Sequence, residues 1–438
     1  MSPVIVVHYH EIALKGRNRD QFEHQLIANI RRALTGIPGV RVARMSGRIV
    51  VRLDSRQPQA DSPKLREYLA RVFGIANIQI GHEVRQEREA LVEDAVNVVR
   101  HHFPLRHSEE PSDEESHSED QHGPLVARCH GVRSLALLGM TKKVGRQSFA
   151  VRVKRGNKRY PATSQELERE IGAAIVEATG LAVDLEDPDL TVAIEIIEDT
   201  AFVLLEKIAG PGGLPTGSAG RVAVLISSGF DSPVAAWRVM KRGAEAILVH
   251  FHSAPYTSDA SVRNVEEIAL LLAAWQGPTS VITVPLIEFQ KAVMIGAPHA
   301  LRVLLYRRAM VRVAERIAHA MRAGALVTGE NLGQVASQTL TNIGVVDAAA
   351  TIPILRPLIG YDKQEIINAA DVIGTAEISR RPYDDCCSLF VPEHPATAAR
   401  LTEIEHVEQE LGLLEWTQKL FDLRMARVMT SPSPAKHA

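Results

Sequence analysis

The feature that most constrains this chain is the run over residues 222–236, which reads VAVLISSGFDSPVAA. Its apolar first half predicts a buried strand, and the proline near its end opens a pattern typical of a helix. The small residues between them predict a loop whose backbone N–H groups, with the dipole of the following helix, favour a bound anion. The carboxylate of Asp231 suits a Mg²⁺ ligand or a phosphate-orienting group. The run therefore predicts a phosphate-binding loop.

Strand-like and helix-like patterns alternate around and after this loop, which is not of the Walker A type because no G-x-x-x-x-G-K-[ST] sequence occurs in the chain. The strand patterns cover 222–227, 246–252, 281–286 and 325–329. The helical patterns cover 233–242, 261–275, about 300–322 and 362–373. This alternation predicts an α/β domain with a doubly wound parallel sheet, in which binding sites lie at the carboxyl ends of the strands.

The N-terminal part of the chain has a different order of patterns. Strand patterns at 3–7, 40–53 and 75–83 alternate with helical patterns at 18–34 and 64–72. The resulting β-α-β-β-α-β order predicts a small α+β domain of ferredoxin-like type. After it, helical patterns cover 86–102 and 164–179, and strand patterns cover 149–154, 190–197 and 200–206. The glycine-rich stretch 210–220 then has the composition of a linker.

Charge is unevenly distributed, although the net charge of −2 gives no indication of a partner. Residues 108–120 include seven acids and neither Lys nor Arg, so we predict a disordered insertion over 106–123, with a functional acidic segment as the alternative. Residues 140–160 include eight Lys or Arg and no acid, which favours a phosphate backbone as partner, with a solvated edge strand as the alternative. The candidate side chains for this contact are Lys142, Lys143, Arg152, Lys154, Arg155 and Lys158.

Two of the three cysteines, Cys386 and Cys387, are adjacent in a polar, proline-flanked segment typical of a loop. Three cysteines cannot form a disulfide framework, and an adjacent pair in a loop favours nucleophilic or redox sulfur chemistry. Cys129 has no such context, and we expect it to be structural. The chain has neither a signal-peptide pattern nor an apolar stretch of about 20 residues, so we expect a cytoplasmic protein without a membrane partner.

Three further sets of residues suit the binding of a phosphorylated ligand. His250 and Phe251 end the second strand of the α/β domain, where they are candidates to flank a base, with ordinary packing as the alternative. Arg307 and Arg308 lie on the long helical pattern and are candidates to bind phosphates bidentately, with an ordinary surface pair as the alternative. Lys363 opens a helix and is a candidate to neutralise a phosphate, although a capped helix start explains it equally well.

Taken in order, these motifs resemble the family of tRNA 4-thiouridine synthases, also called tRNA sulfurtransferases or thiamine biosynthesis sulfurtransferases. The loop at 227–232 resembles that of PP-loop ATP pyrophosphatases, and 149–158 resembles the THUMP RNA-binding domain. The other matching segments are 11–16, 212–215, 250–253, 328–330, 333–339, 354–360 and 385–387. The resemblance covers nearly the whole chain.

The resemblance implies an enzyme that uses ATP to adenylate O4 of uridine 8 in tRNA and replaces that oxygen with sulfur from a protein persulfide. It implies that Asp231 is essential for adenylation and is the candidate Mg²⁺ ligand, and that Lys363 neutralises pyrophosphate. Cys386, with Cys387 as the second candidate, would handle the sulfur. The residues implied for ATP binding are Leu225, Ile226, Ser227, Gly229, Ser232, His250, Phe251, Arg307, Gly329 and Gln338.

The expected organisation is a ferredoxin-like domain over 1–75, a THUMP domain over 76–208, a linker over 209–220, a PP-loop domain over 221–425 and a disordered tail over 426–438. ATP and Mg²⁺ are the expected cofactors, with no permanently bound group. The expected partners are tRNA, a cysteine desulfurase that donates persulfide sulfur, and a second copy of the chain in a homodimer. A secondary link to thiamine thiazole synthesis also follows from the resemblance.

Three departures from the family pattern bear on these expectations. Ser228 stands where the family usually has glycine, so its Cβ would crowd a phosphate or strain the backbone if the position needs a positive φ. No rhodanese-like segment with a further cysteine follows Cys387, so we expect sulfur to arrive directly at the cysteine pair. We expect the acidic insertion to be dispensable. The alternative functions are a tRNA-binding protein with an ATP site impaired at Ser228, and a sulfur donor to a carrier protein in thiazole synthesis.

Overall fold

The structure is a computed structural model that describes residues 2–54, 63–102, 147–382 and 394–430. All three cysteines, the acidic insertion, and Lys142 and Lys143 lie outside these ranges. None of the helices within the described ranges is both long and apolar enough to cross a membrane.

Strands and helices are numbered in chain order. The strands are β1 (Ser2–His8), β2 (Val40–Met45), β3 (Arg48–Leu53), β4 (Asn77–Val84), β5 (Ser148–Arg155), β6 (Ala182–Val183), β7 (Leu190–Ile197), β8 (Thr200–Ala209), β9 (Arg221–Leu225), β10 (Glu245–His252), β11 (Thr279–Pro285), β12 (Ala325–Val327), β13 (Ile354–Leu355) and β14 (Met425–Met429). The helices are α1 (Arg19–Ala33), α2 (Pro63–Leu69), α3 (Arg88–His102), α4 (Ser164–Thr179), α5 (Asp231–Lys241), α6 (Ala260–Gln276), α7 (Ile287–Gly296), α8 (Arg302–Ala320), α9 (Leu340–Asp347), α10 (Lys363–Ile373), α11 (Ala376–Ser379), α12 (Leu401–Glu410) and α13 (Trp416–Asp422).

The chain forms two compact units. The first comprises residues 1–6, 45–60 and 79–208, and the second comprises 7–44, 61–78 and 209–438, so far as these ranges are described. The first unit contributes to an eight-stranded sheet with the order β2-β3-β1-β4-β8-β7-β5-β6. Within it, β5 pairs in parallel with β7, and β7 and β8 form an antiparallel hairpin, as the alternation in their sequences predicts. Helix α4 begins with a capping box formed by Thr163 and Glu166.

The second unit contains a sheet with the order β13-β12-β9-β10-β11-β14. Strands β9 to β13 pair in parallel, and β9 lies between β10 and β12. Alternate strand residues enter two cores: Ala223 and Val249 cluster with α7, α8, α9, α12 and α13, whereas Val224 and Leu248 cluster with α5, α6 and α10. Helices therefore cover both faces, which confirms the doubly wound α/β fold.

The antiparallel edge strand β14 was not expected. It pairs with β11 in the register Thr279↔Met429 to Thr283↔Met425, so the prediction of a disordered tail from 426 is wrong for residues 426–429. The Ser/Pro-rich composition on which that prediction rested begins only after Met429. The run MARVM that precedes it can bond to the free edge of β11.

The glycine-rich stretch 210–220 connects its neighbours through close packing. Gly210 and Gly212 donate backbone hydrogen bonds to Ala76 and Ile75, at 2.9 and 2.8 Å. An ideal Cβ on Gly213 would lie 2.1 Å from the carbonyl oxygen of Lys241, and one on Gly210 would lie 2.3 Å from that of Ile75. The glycines are therefore required for backbone approach as well as for turns. Composition alone does not distinguish this role from that of a free linker.

Candidate active site

A cavity of about 290 Å³ opens at the carboxyl ends of β9 and β12. This is the point where the strand order reverses, because the chain runs from β9 to β10 and β11 on one side and reaches β12 on the other. The cavity is lined by Leu225, Ile226, Ser227, Asp231, Ser232, Val249, Phe251, Val303, Arg307, Met310, Val311, Thr328, Gly329, Glu330, Val335, Ser337, Gln338 and Val346. One part of this lining is apolar and the other is polar, as a nucleotide requires.

Ser232 closes the loop between β9 and α5. Its Oγ accepts from the backbone N–H of Ser227 at 2.8 Å and donates to the Ser227 carbonyl at 3.2 Å. The Ser227 Oγ in turn accepts from the backbone N–H of Gly229 at 3.4 Å. These bonds fix a tight turn directly before the first residues of α5, where helix N–H groups and the helix dipole favour an anion.

Gly329 lets the segment after β12 approach this loop. An ideal Cβ on Gly329 would lie 2.7 Å from the backbone nitrogen of Ser232 and 2.8 Å from the carbonyl carbon of Asp231. Contacts this short with backbone atoms force one of the two segments to move. Glycine at position 329 is therefore needed to bring the two sides of the cavity together.

We expect Gly329→Ala to lower the free energy of unfolding by about 1–3 kcal/mol, the usual cost of overpacking. We also expect it to weaken ATP binding at least about ten-fold, because the displaced loop is the candidate phosphate site. Isothermal titration calorimetry with ATP and chemical denaturation measure the two effects. Gly360→Ala is the control, since no atom lies within 4 Å of its ideal Cβ. Equal ATP affinity in the two variants would contradict the assigned role of Gly329.

Asp231 and Lys363 form an ion pair at the loop. Lys363 Nζ lies 2.7 Å from Asp231 Oδ1, and Gln334 Nε2 donates to Asp231 Oδ2 at 3.3 Å. Lys363 is the first residue of α10, which Asp362 and Glu365 cap reciprocally. The capping residues thus explain the helix start, and they leave the Lys363 ammonium to act on Asp231 and on ligands that bind near it.

Arg307 lies on the wall of the cavity that α8 forms. Its Nη1 donates to the carbonyl and the Oγ of Ser337, at 3.2 and 2.9 Å, and its Nη2 donates to Glu330 Oε1 at 2.5 Å. Burial alone would raise the pKa of Glu330, but the charges of Arg307 and Arg356 and a hydrogen bond from Thr328 lower it below its usual value. The wall therefore carries an ionised carboxylate that holds Arg307.

Of the two arginines considered for phosphate binding, Arg307 lines the cavity and Arg308 does not reach it. The Arg308 side chain is 1% exposed, and its Nε and Nη2 each lie 2.9 Å from an oxygen of Glu408 on α12. Consecutive helix residues point about 100° apart, which separates the two guanidinium groups. Arg308 ties α8 to α12 instead.

Several candidate ATP-binding residues lie near the cavity without lining it. Phe251 lines it, whereas His250, the neighbour on the same strand, points to the other face and lies 2.9 Å through its Nδ1 from the Ile226 carbonyl. Gly229 and Lys363 are likewise not among the lining residues, although both bond to residues that are. The remaining candidates for ATP binding line the cavity together.

The sequence did not single out a second group of lining residues. Thr328 and Glu330 were named only as part of the segment 328–330 that resembles the family, and no role was predicted for Ser337. Glu330 is 2% exposed and joins two arginines from distant parts of the sequence, Arg307 and Arg356. A glutamate shortly after the end of an apolar strand is the available signal, because a carboxylate at such a position is seldom buried without a partner.

The basic patch belongs to the first unit, so far as the structure describes it. Arg152 and Lys154 are exposed on one face of β5, while Val151 and Val153, which alternate with them, are buried, as the alternation predicts. Arg152 Nη2 donates to the Leu185 carbonyl at 2.6 Å, and Arg155 Nη1 donates to the Ala162 carbonyl at 2.7 Å. Lys154 and Lys158 are exposed, so both are available to meet a polyanion.

Three family models match this chain. The model for the thiamine biosynthesis protein (ThiI) matches residues 217–413, that for the ThiI ferredoxin-like domain matches 4–78, and that for the THUMP domain matches 136–206. The chain is 39% identical over 416 residues to a probable tRNA sulfurtransferase of Moorella thermoacetica, which spans 95% of each chain. It is 38% identical over 435 residues to one of Thermus thermophilus, across 99% of this chain and 95% of the relative.

One solved structure gives the same family, and a second gives the same fold. The chain is 32% identical to a 4-thiouridine synthetase crystallised as an RNA complex with bound ATP, with a TM-score of 0.81 over 98% of this chain and 100% of that one. PH1313 from Pyrococcus horikoshii shares the fold at 23% identity and a TM-score of 0.58. Near-complete coverage by named relatives at this level of identity establishes more than the fold. The chain is an enzyme that belongs to the ThiI family of tRNA sulfurtransferases.

Proposed function

We propose that this enzyme uses ATP to replace O4 of uridine 8 in tRNA with sulfur, which gives 4-thiouridine. The observation that carries the proposal is the cavity in which Asp231, Ser232, Arg307 and Gln338 meet beside the loop after β9. A relative of high structural similarity was crystallised with both RNA and ATP. The family membership supplies the reaction, and the cavity supplies a place for its nucleotide.

The two parts of the cavity suit the two ends of ATP. Val303, Met310 and Val346 contribute apolar surface for a base, with the ring of Phe251 beside them. Ser227 and Ser232 lie at the loop whose amides suit the phosphates. We expect the base to lie against α8 and the phosphates to lie against the start of α5.

Mg²⁺ fits this proposal through Asp231. The cations that the structure describes at the loop are already paired, Arg307 with Glu330 and Lys363 with Asp231. A triphosphate therefore needs further positive charge, which Mg²⁺ supplies when bound, with oxygen ligands from Asp231 and the phosphates. Lys363 would then exchange its bond to Asp231 for a bond to the departing pyrophosphate.

The proposed reaction has two transfers. First, uridine O4 bonds to the α-phosphorus of ATP, and the bond to pyrophosphate breaks. Second, the terminal sulfur of a persulfide on Cys386, or on Cys387 as the second candidate, bonds to C4, and AMP leaves with the original oxygen. A thiol then cleaves the remaining sulfur–sulfur bond. That thiol is either the other cysteine of the pair, which leaves a disulfide, or an external reductant.

Several finer expectations remain part of this proposal. A cysteine desulfurase would load the persulfide, and the exposed Lys154 and Lys158 would contribute to tRNA binding. We propose a cytoplasmic homodimer, with a secondary use of its sulfur in thiamine thiazole synthesis. None of these expectations is needed for the nucleotide chemistry of the cavity.

The test is a reconstitution with unmodified tRNA, Mg-ATP, a cysteine desulfurase and cysteine, with nucleosides measured by mass spectrometry. We expect 4-thiouridine with the unchanged protein and with Cys129→Ser, and none with Cys386→Ser. Because all three cysteines belong to the same chain, Cys129→Ser is the matched control. Absence of 4-thiouridine while tRNA still binds would favour the alternative, a tRNA-binding protein with an impaired ATP site.

Ser228 is the residue on which that alternative depends. The non-glycine residues with a positive φ in the described ranges are Glu198 and Arg322, so the backbone at Ser228 does not need glycine. The side chain is 1% exposed and does not line the cavity. We therefore expect Ser228→Gly to change the thiolation rate by less than about three-fold and to lower stability by about 0.5–1 kcal/mol, the usual entropic cost of glycine.

Steady-state thiolation and thermal denaturation of the Ser228→Gly variant measure these two effects. A large gain in rate, of about ten-fold or more, would contradict this expectation. It would show that the serine impairs the ATP site.

A further inference from the structure

Glu330 is a buried carboxylate at the edge of the cavity, and the hydrogen bonds that it accepts come from two arginines and a hydroxyl. Its Oε1 accepts from Arg307 Nη2 at 2.5 Å, and its Oε2 accepts from Arg356 Nε at 2.7 Å and from Thr328 Oγ1 at 2.8 Å. A carboxylate that is 2% exposed is strongly disfavoured unless it is paired and hydrogen-bonded in this way. Glu330 is therefore fixed in position from two sides.

Arg356 holds Glu330 from the side away from the cavity. The Arg356 side chain is 10% exposed, and it also forms a two-pronged ion pair with Asp347, in which Nη1 lies 3.2 Å from Oδ2. Charges thus alternate along Arg307, Glu330, Arg356 and Asp347. Because Arg356 is itself held at both ends, the Glu330 carboxylate cannot follow Arg307 if that side chain moves.

Arg307 has donors left for a ligand. Nη1 is used by Ser337 and one Nη2 hydrogen by Glu330, while the Nε–H and the second Nη2 hydrogen donate to no residue within the described ranges. The side chain is 19% exposed and lines the cavity. These two donors are the ones that Arg307 can offer to a bound molecule.

We infer that Glu330 is a positioning residue, which orients Arg307 so that its remaining donors meet the nucleotide. The inference rests on the proposed binding of ATP in this cavity. A carboxylate repels phosphates, so Glu330 favours ATP only through the guanidinium that it holds. Since the Arg307–Glu330 pair is neutral overall, Arg307 contributes directed hydrogen bonds to the nucleotide rather than net charge.

Glu330→Gln tests this role because it keeps the shape of the side chain and removes its charge. We expect the Kd for Mg-ATP, measured by calorimetry, and the KM for ATP to rise about ten-fold or more. We expect kcat at saturating ATP to change less than about three-fold, because the chemistry itself does not use Glu330. Adding Glu330→Gln to Arg307→Lys should raise the Kd less than about two-fold further, since the group that Glu330 orients is already lost.

Glu315→Gln is the matched control. Like Glu330, Glu315 is a buried glutamate, but it lies on α8 and does not line the cavity. It accepts from the backbone N–H groups of Thr351 and Ile352 at 2.9 and 3.0 Å. Its replacement should lower thermal stability and leave the Kd for ATP unchanged. A folded Glu330→Gln variant with wild-type ATP affinity, or a fully additive double variant, would overturn the inference.

Two further outcomes are distinguishable. If Glu330→Gln does not fold, Glu330→Asp keeps the charge but is one methylene too short to reach both arginines, and an unchanged Kd in that variant overturns the inference. If the unchanged protein does not bind Mg-ATP, the proposed function fails together with the inference. If the unchanged protein binds Mg-ATP and substitution of Glu330 does not change the Kd, only the inference about Glu330 is overturned.

Discussion

Replacing Glu408 with alanine is expected to lower the free energy of unfolding by about 3–5 kcal/mol, because it leaves a buried guanidinium without its partner. Glu408 is 3% exposed and accepts from both Arg308 and Arg312, with four contacts between 2.6 and 2.9 Å. Arg308 is 1% exposed, and its remaining bonds in the described ranges include one to the Val345 carbonyl.

The three tryptophans make this prediction measurable, since Trp237, Trp275 and Trp416 all lie in the second unit. Chemical denaturation followed by tryptophan fluorescence therefore reports on the unit that contains Glu408. Glu405→Ala is the control, because Glu405 lies on the same helix, is 47% exposed and reaches Arg308 only at 3.8 Å. Its loss should cost less than about 1 kcal/mol. Equal costs for the two variants would show that the buried pair is not a major source of stability.

The same pair predicts a dependence of stability on pH. Burial alone would raise the pKa of Glu408, but hydrogen bonds and charge from Arg312 and Arg308 outweigh it and lower the pKa below its usual value of 4.5. The stabilisation is therefore complete above pH 4.5 and is lost as the pH falls through the lower pKa of the folded protein. The difference in stability between the unchanged protein and Glu408→Ala should shrink in that acidic range.

The sequence predicted the strands and helices with the clearest periodicity, including β9, α5 and the β7–β8 hairpin. It predicted the candidate phosphate loop because loop and helix start are neighbours in sequence, so local chemistry determines their arrangement. It did not predict β14, because five residues with weak alternation become a strand only where the edge of β11 is free. The short helices α7, α9, α12 and α13 were also not predicted. They are stabilised by packing against the sheet and α8 rather than by their local sequence pattern.

The residues of the candidate site likewise fall into those that could be predicted from the sequence and those that could not. Asp231 and Ser232 were found because they belong to one motif, whereas Gly329 was implied by the family resemblance of the segment 328–330. The roles of Glu330 and Glu408 were not found, because each depends on arginines that are 23 to 100 residues away in the sequence. The adjacent positions of Arg307 and Arg308 in the sequence do not indicate that one reaches the cavity and the other does not. The difference arises because α8 borders the cavity on one side and packs against α12 on another.

Asp231→Asn is expected to lower the rate of tRNA thiolation by at least about 100-fold, on the scale of losing one electrostatic contact in an active site. The substitution keeps the size of the side chain but removes the charge that pairs with Lys363 at 2.7 Å and that we propose for Mg²⁺. The Asp231 side chain is 24% exposed at the start of α5, so the loss of its charge should cost stability no more than about 1 kcal/mol. Activity should therefore fall in a protein that remains folded.

Steady-state formation of 4-thiouridine, with tRNA binding measured separately, distinguishes this effect from a loss of substrate. Asp371→Asn is the matched control, because Asp371 also pairs with a cation, Arg380, but lies on the exposed surface of α10 and does not line the cavity. We expect Asp371→Asn to retain nearly full activity and both variants to bind tRNA equally. An Asp231→Asn variant with more than about a tenth of the wild-type rate would contradict a role in metal or phosphate binding. In that case Lys363 and the loop amides would have to supply the phosphate site without a carboxylate, and the need for Mg²⁺ at this position would disappear.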